Sequence, residues 1–470
     1  MLLSESKKCL IGAILIKIGS ALLLTWGKTN VYFYSFYKQT EPDLSIAYNT
    51  LPIAIMALPI ALITIFSVKI AKKIGFKLHI RIATTIQCAS LLIAPYMNTY
   101  LTFIIFYIFF YGIGYSSVAF PVFSCTWSHY KKSEGRVSGI LLGAYGFASV
   151  IFVIIITYIS NPNNQQADLM TEHKTQIYKY FSESVAQNAQ NAAKIVSYVA
   201  SFCCLIGGFL IRPYVNSTQY KQVGVSEQKI QQFEEETPKQ NDKEAQQDSS
   251  VEMDPTSVAV NDLPLEIASD HGLPQIKIKQ SLSAAIKSIQ FLTIVTCLSV
   301  LTLFLLTLGL NYKSYFLSKI NEDFFITFVD LVALMASSFA NILWGFLIDR
   351  INFKILFVII YFVSGIGAIA LPFSATDKIA FFVVYVITMM FDKGALVVTG
   401  PALIKIFGDD IGHQLFPITY ISSLVSIVVG PVSQFILLKY FSFDIILYCQ
   451  GSLILLVIIF IIRLNMNYQK

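Results

Sequence analysis

Charge is scarce in this chain. Asp, Glu, Lys and Arg make up 13% of the 470 residues, about half the share with which a water-soluble domain coats its surface. Histidine (5) and tryptophan (3) are rare as well, and no spacing of Cys with His fits a zinc site. No Gly-x-Ser-x-Gly turn and no phosphate-cradling glycine loop is present. The histidines fall in connections between apolar runs, so no catalytic constellation assembles and an enzyme is not expected. No cofactor or metal is implied: the adjacent Asp409 and Asp410 read as helix-capping acids in a turn. All seven cysteines lie within or at the edge of apolar runs, which excludes a disulfide framework.

Apolar residues are what the chain has in abundance: 55% are hydrophobic and 14% aromatic. About twelve runs reach the roughly 20 residues that a helix needs to cross a hydrocarbon core. Spans 1 to 6 are Leu10 to Tyr34, Ile46 to Val68, Ile80 to Asn98, Tyr100 to Trp127, Val137 to Ile159, and Lys194 to Ile211. Spans 7 to 12 are Ile286 to Leu310, Phe324 to Ile348, Phe353 to Pro372, Ile379 to Ile406, Leu415 to Leu438, and Phe443 to Ile462. The first run is too long for a signal peptide and has no cleavage site after it. The expected fold class is an all-α, multi-pass membrane protein whose main partner is the lipid bilayer.

The net charge of +6 sets orientation rather than nucleic-acid binding. Its cations crowd alternate short connections: Lys7 and Lys8 before span 1; Lys69, Lys72, Lys73, Lys77 and Arg81 around the turn after span 2; Lys131, Lys132 and Arg136 after span 4. Such an excess marks the cytosolic side, so both termini are expected there, in a plasma or organelle membrane. From Tyr214 to Ser281 the composition turns to Gln, Glu, Lys, Asp and Ser, too polar to order itself. This segment (214–281) predicts a flexible cytosolic linker between bundles at 1–213 and 282–470. The long connection after span 5 carries a sparse helical pattern in its second half, which predicts a short surface helix.

The two halves look like relatives. VKIAKKIGFK follows span 2 and GFLIDRINFK follows span 8; GIGYSSVAFP in span 4 matches DKGALVVTGP in span 10. Aligned on Pro121 and Pro401, Asp392 and Lys393 stand in place of Gly112 and Ile113.

Two sets of six spans, a polar linker and a basic turn after the second span of each set resemble the major facilitator superfamily. The superfamily's turn motif is met in the second half by Gly345, Asp349, Arg350 and Lys354, with Asn352 in the place of a later Gly. In the first half Val68, Lys72 and Lys73 replace the Gly, Asp and Arg, and only Gly75 and Lys77 match. WSHYKKSEGRVSGILLGAYGFAS, with Gly139, Gly143 and Gly146, and GPALIKIFGDDIGHQLFPITY are similar to monocarboxylate transporters and oxalate/formate antiporters. The cations which that branch carries in spans 8 and 11 map onto Asn341 and Ser423, which are uncharged. The resemblance implies a pair of pseudo-symmetric six-helix bundles around a central cavity lined by spans 1, 4, 7 and 10.

Ionised groups inside a bilayer are costly and should face protein or water. Asp392 and Lys393 sit mid-way along span 10, about 100° apart around the helix, too far to share one partner cleanly. The resemblance sets Asp392 on the cavity wall opposite span 1, whose Lys17 and Lys28 are three turns apart and so on one face. Tyr107, Tyr111 and Tyr115 form a hydroxyl stripe on span 4, while Asn30, Tyr32 and Gln87 add polarity. Asp330 reads as an interfacial residue at the outer end of span 8. The function expected is alternating-access transport, as a monomer, of a small monocarboxylate-like or amino-acid-like solute together with a proton. The rival is a transporter-shaped receptor or structural subunit that no longer transports.

Overall fold

The computed structural model describes residues 4–44, 51–163, 165, 169–173, 176–214, 281–320, 322–426 and 441–463. The linker of 214–281 lies outside them except at its two ends, as does the second half of span 11. Residues 1–214 and 281–470 form one compact unit. Ten of its helices are long and apolar enough to cross a membrane among the described residues. Leu51–Ile74 and the helix that starts at Asp409 occupy the places of spans 2 and 11.

Several spans are not simple helices. Span 1 runs from Glu5–Ser20 through a 3-10 segment, Ala21–Thr25, into Trp26–Thr40. Span 4 passes through a π segment, Ile105–Phe110, and breaks between Val118 and Pro121. Pro121 has no N–H to give the Ser117 carbonyl, and His79 Nε2 of span 3 donates to that oxygen instead at 2.8 Å. His79 is therefore a buried span residue, not a connection residue as the sequence suggested. Span 10 runs over Lys378–Asp392 and Gly394–Phe407, with Lys393 between them in helical backbone conformation.

The long connection after span 5 also departs from expectation. Its helical pattern belongs to span 6 itself, which is continuous over Glu183–Leu210 and starts eleven residues before Lys194. Ahead of it lies an antiparallel hairpin, β1 (Leu169–His173) with β2 (Gln176–Tyr180). Aromatic contacts seat its end on span 1: Tyr180 meets Tyr34 edge-on at 6.4 Å and Phe181 stacks on Tyr32 at 5.1 Å.

The halves meet along spans 5 and 8. Lipid tails are as apolar as leucine, so helices in a bilayer associate by close packing rather than by hydrophobic exclusion. Small residues four apart provide that approach. A Cβ on Gly139 would lie 2.5 Å from the Asn341 carbonyl oxygen, and one on Gly345 would lie 2.4 Å from the Gly135 carbonyl oxygen. Gly143 and Gly146 face Ile342 and Ser338 in the same way.

Gly139→Val should lower the melting temperature in detergent by several degrees, because overpacking a tight contact costs about 1–3 kcal/mol. Gly309→Ala is the control, since its Cβ would meet nothing within 4 Å. A Gly139→Val protein that melts like wild type would show that the seam yields without cost.

Candidate functional site

At the basic end the two halves are closed by aromatic rings. Phe120, Phe123 and Trp127 of span 4 pack on Phe416 of span 11 at 4.7, 5.7 and 5.5 Å between centroids. Tyr420 adds a contact to Phe120 at 5.0 Å and His413 one to Trp127 at 5.2 Å. Trp127 is fixed from behind, its indole N–H donating to Glu134 O at 3.0 Å and Ser138 Oγ at 3.1 Å.

The motif turn joins the two halves beside this closure. Asp349, at the end of span 8, accepts from the Gly135 and Arg136 backbone N–H groups at 2.9 Å each. Those are orphan donors in the first turn of span 5, where a carboxylate also meets the positive end of the helix dipole. Gly345 makes room for that approach. Arg350 is exposed at the end of the helix. Asn352, the departure from the motif, accepts from Lys354 N at 3.0 Å and so caps span 9. The first-half turn reverses the charges: Lys72, where the motif has an acid, lies 3.7 Å from Asp410 at the start of span 11. That pair is largely exposed and weak.

Above the aromatic closure lie the charges within the bilayer. Lys28 of span 1 and Asp330 of span 8 form an ion pair of 2.7 Å between the halves, and Tyr385 OH of span 10 donates to Asp330 at 3.0 Å. Asp330 is thus no lone interfacial residue. Its partner sits on the other half, which a helix-by-helix reading of the sequence does not reveal. Lys393 is exposed although it lies mid-span, and its charge neighbours besides Asp392 are Asp330 and Lys28, one from each half. It therefore faces the cleft between the halves, and among the described residues it has no ion-pair partner.

Asp392 is placed differently from Lys393. Only 2% of it is exposed, and neither carboxylate oxygen has a hydrogen-bond partner. It turns toward Ser364 and Tyr361 of span 9, inside the C-terminal bundle, and not onto the cleft wall opposite span 1. The helix is held beside Lys393 by Trp344, whose indole N–H donates to Met390 O at 3.0 Å. A Cβ on Gly394 would lie 2.6 Å from that indole ring.

Lys17 and Lys28 do not share a face. The five 3-10 residues between them, at three per turn, add roughly 100° of rotation over an α-helix. Lys17 is buried, with Nζ donating to Ala119 O at 3.1 Å beside the span 4 break and lying 4.4 Å over the Phe123 ring. The tyrosine stripe also divides. Tyr107 packs on Trp26, Phe33 and Phe103, and Tyr111 spends its hydroxyl on Gly19 O at 3.0 Å. Both are thereby held in the N-terminal bundle, away from the cleft. Tyr115 stacks on Tyr145 at 6.0 Å, just above the aromatic closure. Asn341 is buried in the seam of spans 5 and 8 with its Oδ1 unpartnered, and Ser423 is half-buried on span 11. Sequence reasoning missed Trp344, Tyr385 and His413, whose partners lie on other spans.

Two outcomes follow for the closed end. Asp349→Ala removes the cap of span 5 and should favour states open at the basic end. A cysteine placed at Tyr145, in a background lacking exposed Cys449, should then react faster with an impermeant maleimide added from that side. An unchanged rate would remove the latch role. Burial pushes the His413 imidazole down to about 4, so closure favours its neutral form. Opening restores the ordinary value near 6.5, and acid between those limits should therefore drive the end open. His413→Phe keeps a ring on Trp127 and should abolish that acid dependence; a pH profile like that of wild type would contradict this.

No family model matches the sequence, and no curated protein does. Among solved structures, the proton:xylose symporter XylE of the major facilitator superfamily, bound to 6-bromo-6-deoxy-D-glucose, aligns over 98% of this chain and 94% of its own, with a TM-score of 0.63. The identity is 11%, at which the likeness speaks for architecture alone. This chain has the fold of the major facilitator superfamily.

Proposed function

We propose that this protein is a secondary transporter that carries a small organic solute through the central cleft by alternating access, coupled to a proton. The observation that carries the proposal is the division of labour at residues 392 and 393. An exposed, unpaired Lys393 stands mid-membrane in the cleft, next to a carboxylate buried without a partner. Charges at that depth are costly to keep. A lysine in the cleft suits a solute with a carboxylate, a monocarboxylate or an amino acid, and the buried Asp392 suits a proton. Lys28 and Asp330, bridging the halves on the outer side of Lys393, give the cleft a latch that can break and re-form. The basic end, closed in this structure, is the cytosolic one by its excess of lysine, and both termini share that side.

The sequence also resembles the monocarboxylate and oxalate/formate branch, but Asn341 and Ser423 take the places of that branch's cations. This disfavours a dicarboxylate and leaves Lys393 as the cleft's unpaired positive charge among the described residues. The reversed first-half turn favours the rival reading, a protein that no longer transports. Against it stands the Lys72 to Asp410 pair, which still joins the two halves at that turn.

A screen of carboxylate and amino-acid solutes in proteoliposomes, with an imposed pH gradient, tests the proposal. Asp392→Asn should abolish uphill accumulation but leave solute exchange between the two faces, which needs no net proton movement. Lys393→Gln should raise KM by tenfold or more, the loss expected for one charge-assisted hydrogen bond of about 1.5–3 kcal/mol. An Asp392→Asn protein that accumulates solute like wild type at every pH would sink the coupling role.

A further inference from the structure

The interior of the C-terminal bundle holds polar atoms that its packing leaves without partners. Both carboxylate oxygens of Asp392, the Ser364 hydroxyl and the Tyr361 hydroxyl are buried and make no hydrogen bond. Ser364 lies against the carboxylate, and Tyr361 is within its electrostatic reach. The two hydroxyl residues are three apart on span 9 and so share a helix face. Both are fully buried. An unpartnered buried polar group is costly on its own, and here four such atoms lie on two packed spans, with Ser364 beside the carboxylate.

The chemistry of the donor set narrows that occupant. Four oxygens are too few for calcium, and the Lys393 ammonium next in sequence repels any cation of fixed charge. A proton needs only one carboxylate oxygen. Hydroxyls are suited to serve both of its states, since each can donate to a carboxylate or turn away from a carboxylic acid. The other titratable and charged groups around this place are Lys393 and Tyr385 on span 10, Asp330 on span 8, Cys297 on span 7 near Tyr361, and Lys28 of the opposite half near Lys393. None of them reaches Asp392 with a hydrogen bond.

We propose that Asp392, Ser364 and Tyr361 form one proton-binding site, in which the two hydroxyls are positioning residues that turn to the carboxylate when it gives up its proton. The proposal rests on the transport reading for its use, but the site itself is a property of the folded chain. When Asp392 ionises, O–H donors from Ser364 and Tyr361 replace the solvation that burial has removed. When it is protonated they are released. Removing either hydroxyl removes a stabiliser of the charged form alone, so the proton should be held more tightly.

Infrared difference spectroscopy on the protein in lipid tests this without a solute. A carbonyl-stretch band of a buried carboxylic acid should titrate in wild type and be absent in Asp392→Asn. In Ser364→Ala and in Tyr361→Phe its midpoint should move to higher pH by about one unit, a tenfold gain in proton affinity. Wild-type midpoints in both variants, or a band that survives Asp392→Asn, would overturn the site. Ser364→Ala deletes a single oxygen and guards against a folding defect in the larger change. If the midpoints move but no solute is ever carried, the site stands and the transport reading falls. If solute is carried while the midpoints stay, the transport reading stands and the site falls.

Discussion

The architecture depends on the contact between spans 5 and 8. Nothing apolar drives two helices together in a lipid solvent, so this seam forms where the backbones come close enough for dispersion and short polar contacts. Gly135, Gly139 and Gly143 provide that approach on one side, and Gly345 with Ser338 on the other. Asp349 fixes the register by capping the start of span 5 with two backbone N–H bonds.

The two ends are closed by different physics. The basic end uses edge-to-face and tilted ring contacts between spans 4 and 11. On the outer side of the cleft the halves are bridged by a part-exposed ion pair, Lys28 with Asp330, which water or an incoming anion can compete for. Between the two lies Lys393, reachable from the cleft, with Asp392 behind it in the bundle. Consecutive residues on a helix point about 100° apart, which lets these two serve different environments, and Trp344 holds the helix beside them through Met390 O.

Much of this was legible in the sequence, and for physical reasons. A helix must be about 20 apolar residues long to cross a bilayer, so the spans stand out. A charge at mid-span is conspicuous for its cost, so Asp392 and Lys393 did too. The glycines of span 5 were visible as a spaced set, although their partner helix was not. What the sequence did not show arises from departures in helix pitch and from partners on other helices. The 3-10 turn of span 1 rotated Lys17 away from Lys28 and into the span 4 break. Asp330 looked interfacial because Lys28 lies on the opposite half. The hairpin after span 5 hid beneath a helical pattern that belongs to span 6.

The central claim is that solute and proton move together through this cleft, and proton movement driven by solute tests it most directly. Proteoliposomes at equal pH on both sides, loaded with a pH dye, are given a carboxylate or amino-acid gradient with no imposed proton gradient. The account predicts that a carried solute acidifies the lumen as it enters, at a rate proportional to its own influx. Solute entry with no change in lumen pH would contradict it.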